Sequence, residues 1–277
     1  MSKSRSPEEL LREHGLKPKK SWGQNFLEDE SVLERLIEAM AVEKTDTIVE
    51  LGPGLGHLTR ALLATGAKVV AVERDRDMVR VLKSLELPGL TIVEGNAANV
   101  RFAEVAGVPE AVVVGNLPYH LSSSILFEVL EQPESVKRAV FTLQKEVVER
   151  LAAPPGNRDY GILSVMLGLR FSVENCFLVP AHLFHPPPKV DSAVVRLTRL
   201  PKPRAEVRDE ARFRKIVKAA FAQRRKTLPN SLRSDKVLCE GVDVKALLAA
   251  CSIDEKRRAE TLSVEEFAAL ERAWTAA

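Results

Sequence analysis

The chain has 277 residues, 45% of them hydrophobic, and a formal net charge of only +3, which is enough length to bury a sizeable core without covalent staples. Cys176, Cys239 and Cys251 show no C-x-x-C spacing, which argues against a disulfide framework or a zinc site and for a reduced, cytoplasmic setting with no metal. The first residues lack the apolar core of a signal peptide, and no later run is long and apolar enough to span a bilayer, so a soluble protein is expected, by default a monomer.

In chain order, "SPEELLREHG" (6–15) reads as a capped helix leading into the basic, proline-containing "LKPKKSWGQNFL" (16–27). From residue 47, the apolar runs "TIVELG" and "AKVVAVE" bracket the helix-like "HLTRALLATG". "LTIVEG" and "AVVVGN" follow, then the helical "SSSILFEVLEQ" and the apolar "KRAVFTLQ". This alternation predicts an α/β fold with a doubly wound parallel sheet. "FSVENCFLV" and "SAVVRLTRL", joined by the proline-rich "PAHLFHPPPKVD" and no helix, fit an antiparallel hairpin at one edge. The prolines and dense charge of "LPKPRAEVRDE" place a domain boundary after Leu200. Beyond it the pattern is helical only, in "ARFRKIVKAAFAQRRKTL", "DVKALLAACS" and "SVEEFAALERAWTAA". The expected domains are therefore 1–200 and a small all-helical 201–277.

In "VELGPGLGHLT", Gly52, Gly54 and Gly56 sit between a strand and a helix, where glycines permit a sharp turn and close approach of a ligand. The spacing is G-x-G-x-G rather than the G-x-G-x-x-G of dinucleotide sites, which disfavours a nicotinamide or flavin without excluding it. The next strand ends at Glu73, about twenty residues on, where a carboxylate can accept hydrogen bonds from both ribose hydroxyls of an adenosine moiety. A solvated strand-end carboxylate is the plain alternative. Gly52, Glu73, Asn96 and Asn116 all fall at the carboxyl ends of predicted strands, where ligands of open α/β sheets collect.

The fourth run stops at Asn116-Leu117-Pro118-Tyr119. Alone, the tetrapeptide reads as a turn with a tyrosine anchor; its place opposite a glycine loop at the same sheet edge reverses that preference. An exocyclic adenine amine is a poor nucleophile because its lone pair is delocalised into the ring. Acceptors aimed at its N–H bonds, such as the Asn116 oxygen and a backbone carbonyl freed before Pro118, favour the positive charge that develops on alkylation. Tyr119 offers an aromatic face for a flipped base.

"QNFL" (24–27), "ELGPGLGHLT", "AVERD", "NLPY", "LQKEVVERL", "DYGILSV", "FHPPPKVDSAVVRL", "RRKTLPNSL" and "RAETLSVEEF" together resemble the small-subunit ribosomal RNA adenine N6,N6-dimethyltransferases, the KsgA/RsmA family, over nearly the whole chain. The resemblance implies a Rossmann-like sheet that takes S-adenosylmethionine as methyl donor. The implied acceptors are two adjacent adenines in the 3′-terminal hairpin loop of small-subunit rRNA within an immature 30S particle, each dimethylated, with a role in subunit biogenesis. It implies donor contacts from Asn25, Leu27, Gly52, Gly54, Glu73, Asn96 and Asn116. Asn116, Leu117, Pro118 and Tyr119 would hold the target adenine, and Phe184, a core residue on its own pattern, would be the second aromatic wall. One position departs from the family: where it usually has aspartate in a Gly-Asp-Ala context, this chain reads "EGNAANV" with Asn96, which turns a charge-assisted contact into a neutral one.

Between Arg199 and Lys236 stand thirteen Lys or Arg against four Asp or Glu, leaving the rest of the chain net acidic. That concentration fits a polyanion contact, or else a solvated helical face. Beside the family resemblance, Arg212, Lys215, Arg224, Arg225 and Lys226 become candidate phosphate contacts on the first helices of the tail, with Lys19 and Lys20 near the active-site mouth. Two other readings stay open: an assembly factor whose binding matters more than methylation, and a methyltransferase acting on large-subunit rRNA.

Overall fold

Five apolar runs of the first half become strands β1 (Thr47–Leu51), β2 (Lys68–Glu73), β3 (Leu90–Glu94), β4 (Ala111–Asn116) and β5 (Val136–Gln144) in the computed structural model, which describes residues 5–274 apart from the Lys20 side chain. They pair in parallel in the order β3-β2-β1-β4-β5. β1 is buried along its full length and β4 up to its last residue, as expected of near-continuous β-branched runs covered on both faces. β6 (Phe171–Val179) and β7 (Ser192–Arg199) extend the sheet beyond β5 in the order β5-β7-β6, and β7 runs antiparallel to β5. The sheet is therefore mixed: seven strands, mostly parallel, with the antiparallel edge the sequence predicts.

The order reverses between β1 and β4, one strand leading outward to β2 and the other to β5. Such a switch point opens a crevice at the carboxyl ends of the strands. Helices α1 (Pro7–Glu13), α2 (Glu30–Met40), α3 (His57–Ala64), α4 (Arg76–Ser84), α5 (Phe102–Ala106) and α6 (Ser122–Glu131) accompany these strands. The Asp29 side chain caps α2 by accepting the Val32 N–H at 3.0 Å. Leu33, Leu36 and Met40 of α2 then pack with Leu58 and Leu62 of α3 against Ile48, Val112, Val114, Val140 and Val194 of the sheet. α1, with its Ser6–Glu9 capping box, adds Leu10 and Leu11 to a second cluster with Phe26, Leu55, Met78 and Val81.

Among the described residues the chain forms two compact units. The first runs to Val148 and resumes over Glu174–Arg199; the second takes Glu149–Val173 and the chain from Leu200 onward. The segment 149–173, expected within the domain 1–200, thus goes with the helical tail. The physical reason lies in α8 (Ile162–Arg170), which follows α7 (Lys145–Ala152) and is apolar nearly all round. It packs against α9 (Glu210–Phe221) and α12 (Val264–Ala273), in the unit that also holds α10 (Leu228–Leu232) and α11 (Val244–Ala250), and a methyl group at Gly168 would meet Val264 Cγ2 at 3.1 Å. Phe213 and Phe267 are buried in this unit, and the Phe221 and Phe267 rings stack at 5.9 Å.

The run "ARFRKIVKAAFAQRRKTL", predicted as helix, breaks after Phe221, so Arg224, Arg225 and Lys226 lie in a connecting turn. Pro229 in the first turn of α10 explains the break, because in a continuous helix its ring would clash with the carbonyl four residues back. No helix among the described residues is long and apolar enough to cross a membrane.

Candidate active site

At the end of β1 the chain turns through Gly52 and Gly54, both left-handed, with φ of 68° and 56°. A Cβ at Gly52 would meet no atom within 4 Å, whereas one at Gly54 would stand 3.0 Å from Phe26 Cε1. The loop therefore presents bare backbone to open space on one side and closes against the N-terminal segment on the other. Glu73, at the end of β2, is 8% exposed. Its Oε2 accepts the Gly54 N–H at 3.2 Å and its Oε1 the Asp75 N–H at 2.8 Å. Burial pushes this carboxyl up from its ordinary value, and the backbone donors counter part of that.

Glu50, one residue before the end of β1, is fully buried and accepts the Thr59 hydroxyl at 2.6 Å. Burial, with Glu73 as a lesser contributor, holds its carboxyl up at about 8, so it is protonated at neutral pH. Past the end of β3, Asn96 caps a short turn, its Oδ1 accepting the Ala98 N–H at 3.2 Å.

The N-terminal segment crosses this edge of the sheet. Phe26 pairs with His185 and Leu27 with Phe184 in a two-residue antiparallel ladder. Asn25 turns its side-chain amide onto Gly23 O at 3.1 Å and offers its own carbonyl to Asn116 Nδ2 at 2.8 Å. Gln24 Nε2 donates to Asp75 Oδ2 at 2.8 Å. Lys19, expected to meet RNA, instead places its ammonium 2.6 Å from both Asp75 and Asp77. Burial works against its charge, but the two carboxylates prevail and raise its pKa. That ammonium is committed within the protein; the side chain of its neighbour Lys20 lies outside the described residues.

At the end of β4, Asn116 has its nitrogen engaged by Asn25, so the group it turns to a ligand is Oδ1. Leu117 donates its N–H to Thr142 O at 3.2 Å and buries its side chain. Tyr119 shares a 2.9 Å hydrogen bond with Ser192 Oγ, and burial pushes its phenol up, so it stays neutral. Phe184, 4% exposed, packs into the sheet–helix core and still borders the opening.

These groups surround one cleft of about 330 Å³. Every donor and acceptor residue expected from the sequence borders it, as do Glu50, His57, Trp22 and Arg74, which sequence reasoning missed. A glutamate inside a fully apolar strand run was the available signal for Glu50. Among the described residues no cluster of His, Cys, Asp or Glu is arranged to hold a metal.

The candidate phosphate contacts of the helical unit divide. Arg212 is held by the fully buried Glu271, at 2.6 Å through one terminal nitrogen and 3.1 Å through Nε, and Glu271 also accepts the N–H groups of Arg208 and Asp209. This arginine is a structural ion pair, because removing it would strand a buried charge. Lys215 is exposed on α9, and Arg224, Arg225 and Lys226 are exposed in the turn after it, with Arg224 donating to Arg158 O.

The family described as "Ribosomal RNA adenine dimethylase" matches residues 15–275. The chain is 62% identical over 268 residues to "Ribosomal RNA small subunit methyltransferase A" of Myxococcus xanthus (strain DK1622), covering 97% of this chain and 95% of that protein. It is 43% identical to the protein of the same name from Geobacter sulfurreducens, over 96% and 99% of the two chains. Among solved structures it is similar to a dimethyladenosine transferase from Plasmodium falciparum, with a TM-score of 0.73, 26% identity, and 88% and 95% of the chains covered. It is also similar to the 23S rRNA methyltransferase ErmE, with a TM-score of 0.69, 27% identity, and coverage of 90% and 99%.

Proposed function

The chain belongs to the ribosomal RNA adenine dimethylase family, and from that premise we propose that it transfers methyl groups from S-adenosylmethionine to N6 of two adjacent adenines in the 3′-terminal hairpin loop of small-subunit rRNA. Each adenine is dimethylated. The chain acts as a monomer in the cytoplasm, on an immature small-subunit particle.

The observation that carries this reading is the pinned amide of Asn116. Because Nδ2 is held by Asn25 O, Oδ1 is presented to an incoming amine N–H and stabilises the positive charge that grows on N6. Tyr119 and Phe184 flank the base, and the neutral phenol of Tyr119 adds no charge there. Positioning supplies the catalysis, and no strong base is needed. The donor brings an activated methyl group. Its adenosine suits the residues at the other end of the cleft: Glu73 has lone pairs left for ribose hydroxyls beyond the two backbone bonds it accepts, and Gly52 leaves open space against its backbone. Glu50, protonated at neutral pH, keeps a second negative charge out of this end. Phosphate contacts fall to Lys215, Arg224, Arg225 and Lys226, all exposed.

The test is incubation with labelled methyl donor and separate small- and large-subunit particles from cells lacking the modification. Label is expected in the small-subunit RNA. Label in the large-subunit RNA would favour the second reading, which the 27% identity to ErmE supports less than the 62% identity to the Myxococcus protein.

A further inference from the structure

Tyr119 is anchored at the far end of its ring as well as through its backbone. Its hydroxyl shares a 2.9 Å hydrogen bond with Ser192 Oγ and stands 3.5 Å from Val190 O. Ser192 is buried and opens β7, where it pairs with Gln144 at the end of β5. The residue before it is held twice: Asp191 O accepts the Lys145 N–H at 3.0 Å, and Asp191 Oδ1 accepts the Ala181 N–H at 2.9 Å. The Ser192 hydroxyl is therefore a fixed point of the sheet rather than of a loose loop.

The strand that fixes Ser192 also supports Asn116. β5 pairs with β4 on one side, Thr142 against Asn116, and with β7 on the other, Gln144 against Ser192. Phe184, across the cleft, is set by its own pairing with Leu27. An aromatic ring attached at one end pivots about its side-chain torsions, and a hydrogen bond at the far end removes that freedom.

We propose that Ser192 is a positioning residue: by holding the Tyr119 hydroxyl it keeps that ring at the angle and distance from Phe184 at which a flat base fits between them, with its exocyclic amine at Asn116 Oδ1. The inference rests on the acceptor reading above and deepens it. Ser192 does not itself border the cleft, so its effect passes through Tyr119. Loss of the bond lets the ring swing and the amine drift from the line of attack, where a displacement of about 1 Å can cost about a hundredfold in rate.

The chain has two tyrosines, Tyr119 and Tyr160, so the full chain labelled with a carbon isotope at tyrosine Cζ gives two magnetic-resonance signals, which Tyr119→Phe assigns. Ser192→Ala is expected to move the Tyr119 signal and leave that of Tyr160 in place. Ser192→Thr, which keeps a hydroxyl, should hold the Tyr119 signal near its parent position. On modification-deficient small-subunit particles, Ser192→Ala is expected to lower kcat about tenfold, with particle KM and S-adenosylhomocysteine affinity unchanged and the rate largely restored in Ser192→Thr. Tyr119→Phe keeps the ring and removes the hydroxyl, so it should lose the same factor, and the double variant no more. Single effects that multiply to about a hundredfold in the double variant, a parent-level kcat in Ser192→Ala, or an equal loss of S-adenosylhomocysteine affinity would overturn the positioning role and leave the acceptor reading intact. An unmoved Tyr119 signal would overturn it whether or not the chain methylates RNA. A parent chain that transfers no methyl group to these particles would instead sink the acceptor reading, and the positioning role with it.

Discussion

At the donor end of the cleft, Glu73 accepts N–H groups from Gly54 and Asp75, Asp75 holds Lys19 and Gln24, and Asn96 caps the turn to Ala98. At the acceptor end, Asn116 and Tyr119 are tied as well, to Asn25 O and Ser192 Oγ, but behind them, off the cleft, Thr142, the register partner of Asn116 on β5, and Ser122, at the start of α6, bury hydroxyls that have no partner. The contrast separates two kinds of preorganisation. Where the ligand's polar groups must be met at fixed points, the chain ties its own groups down in advance. At the acceptor end the side chains that face the base are tied in the same way, and only the layer behind them tolerates unpaired polar atoms, each at a cost of about 1–3 kcal/mol.

The contrast can be broken most forcefully at Asn116. Asn116→Ala is expected to lower methyl transfer to small-subunit particles about 100- to 1,000-fold, the effect of losing one well-aimed polar group in a transition state, while particle binding persists. Turnover at the parent level would remove the acceptor end as described. At the donor end, Glu73→Gln should weaken S-adenosylhomocysteine binding about tenfold by calorimetry with the rRNA KM unmoved; a shift in that KM instead would merge the two ends.

A smaller effect concerns pH. Glu50 has its carboxyl raised from 4.5 to about 8 in the folded chain. Between those values the folded state keeps a proton that the unfolded state releases. Its contribution to stability is therefore complete below the unfolded value and is lost as pH rises through the folded one. Glu50→Gln keeps the Thr59 bond and removes the titration. It should raise Tm by roughly 3–6 °C near pH 9 and change it little near pH 4, and a pH-independent difference would show that Glu50 does not titrate. The smallest change is Thr142→Val, which replaces the unpaired hydroxyl with a methyl of similar shape and is expected to gain about 1 kcal/mol in denaturant unfolding. A loss of stability would reveal a partner for that hydroxyl.

Gly52, Glu73 and Asn116 were legible because each lies at a strand end in a segment whose backbone requirements are local. Phe184 was legible only through family resemblance, since nothing near it in the chain says that a core phenylalanine also borders a cleft. The ion pairs of Lys19 were not legible: its carboxylate partners stand more than fifty residues away, and a basic run looks the same whether it faces solvent or Asp75. The pairing of Arg212 was hidden likewise, because Glu271 reaches it from the last helix. The segment 149–173 was assigned to the wrong unit because its apolar run fits either core equally well by pattern, and only the tail helices packing around α8 decide between them.

The most direct test of the account is mass spectrometry of the 3′-terminal fragment of small-subunit rRNA after reaction of the full chain with S-adenosylmethionine and modification-deficient particles. The account predicts two neighbouring adenines, each converted to N6,N6-dimethyladenine, and conversion slowed about 100- to 1,000-fold with Asn116→Ala. An unmodified loop, or methylation at any other nucleotide, would contradict it.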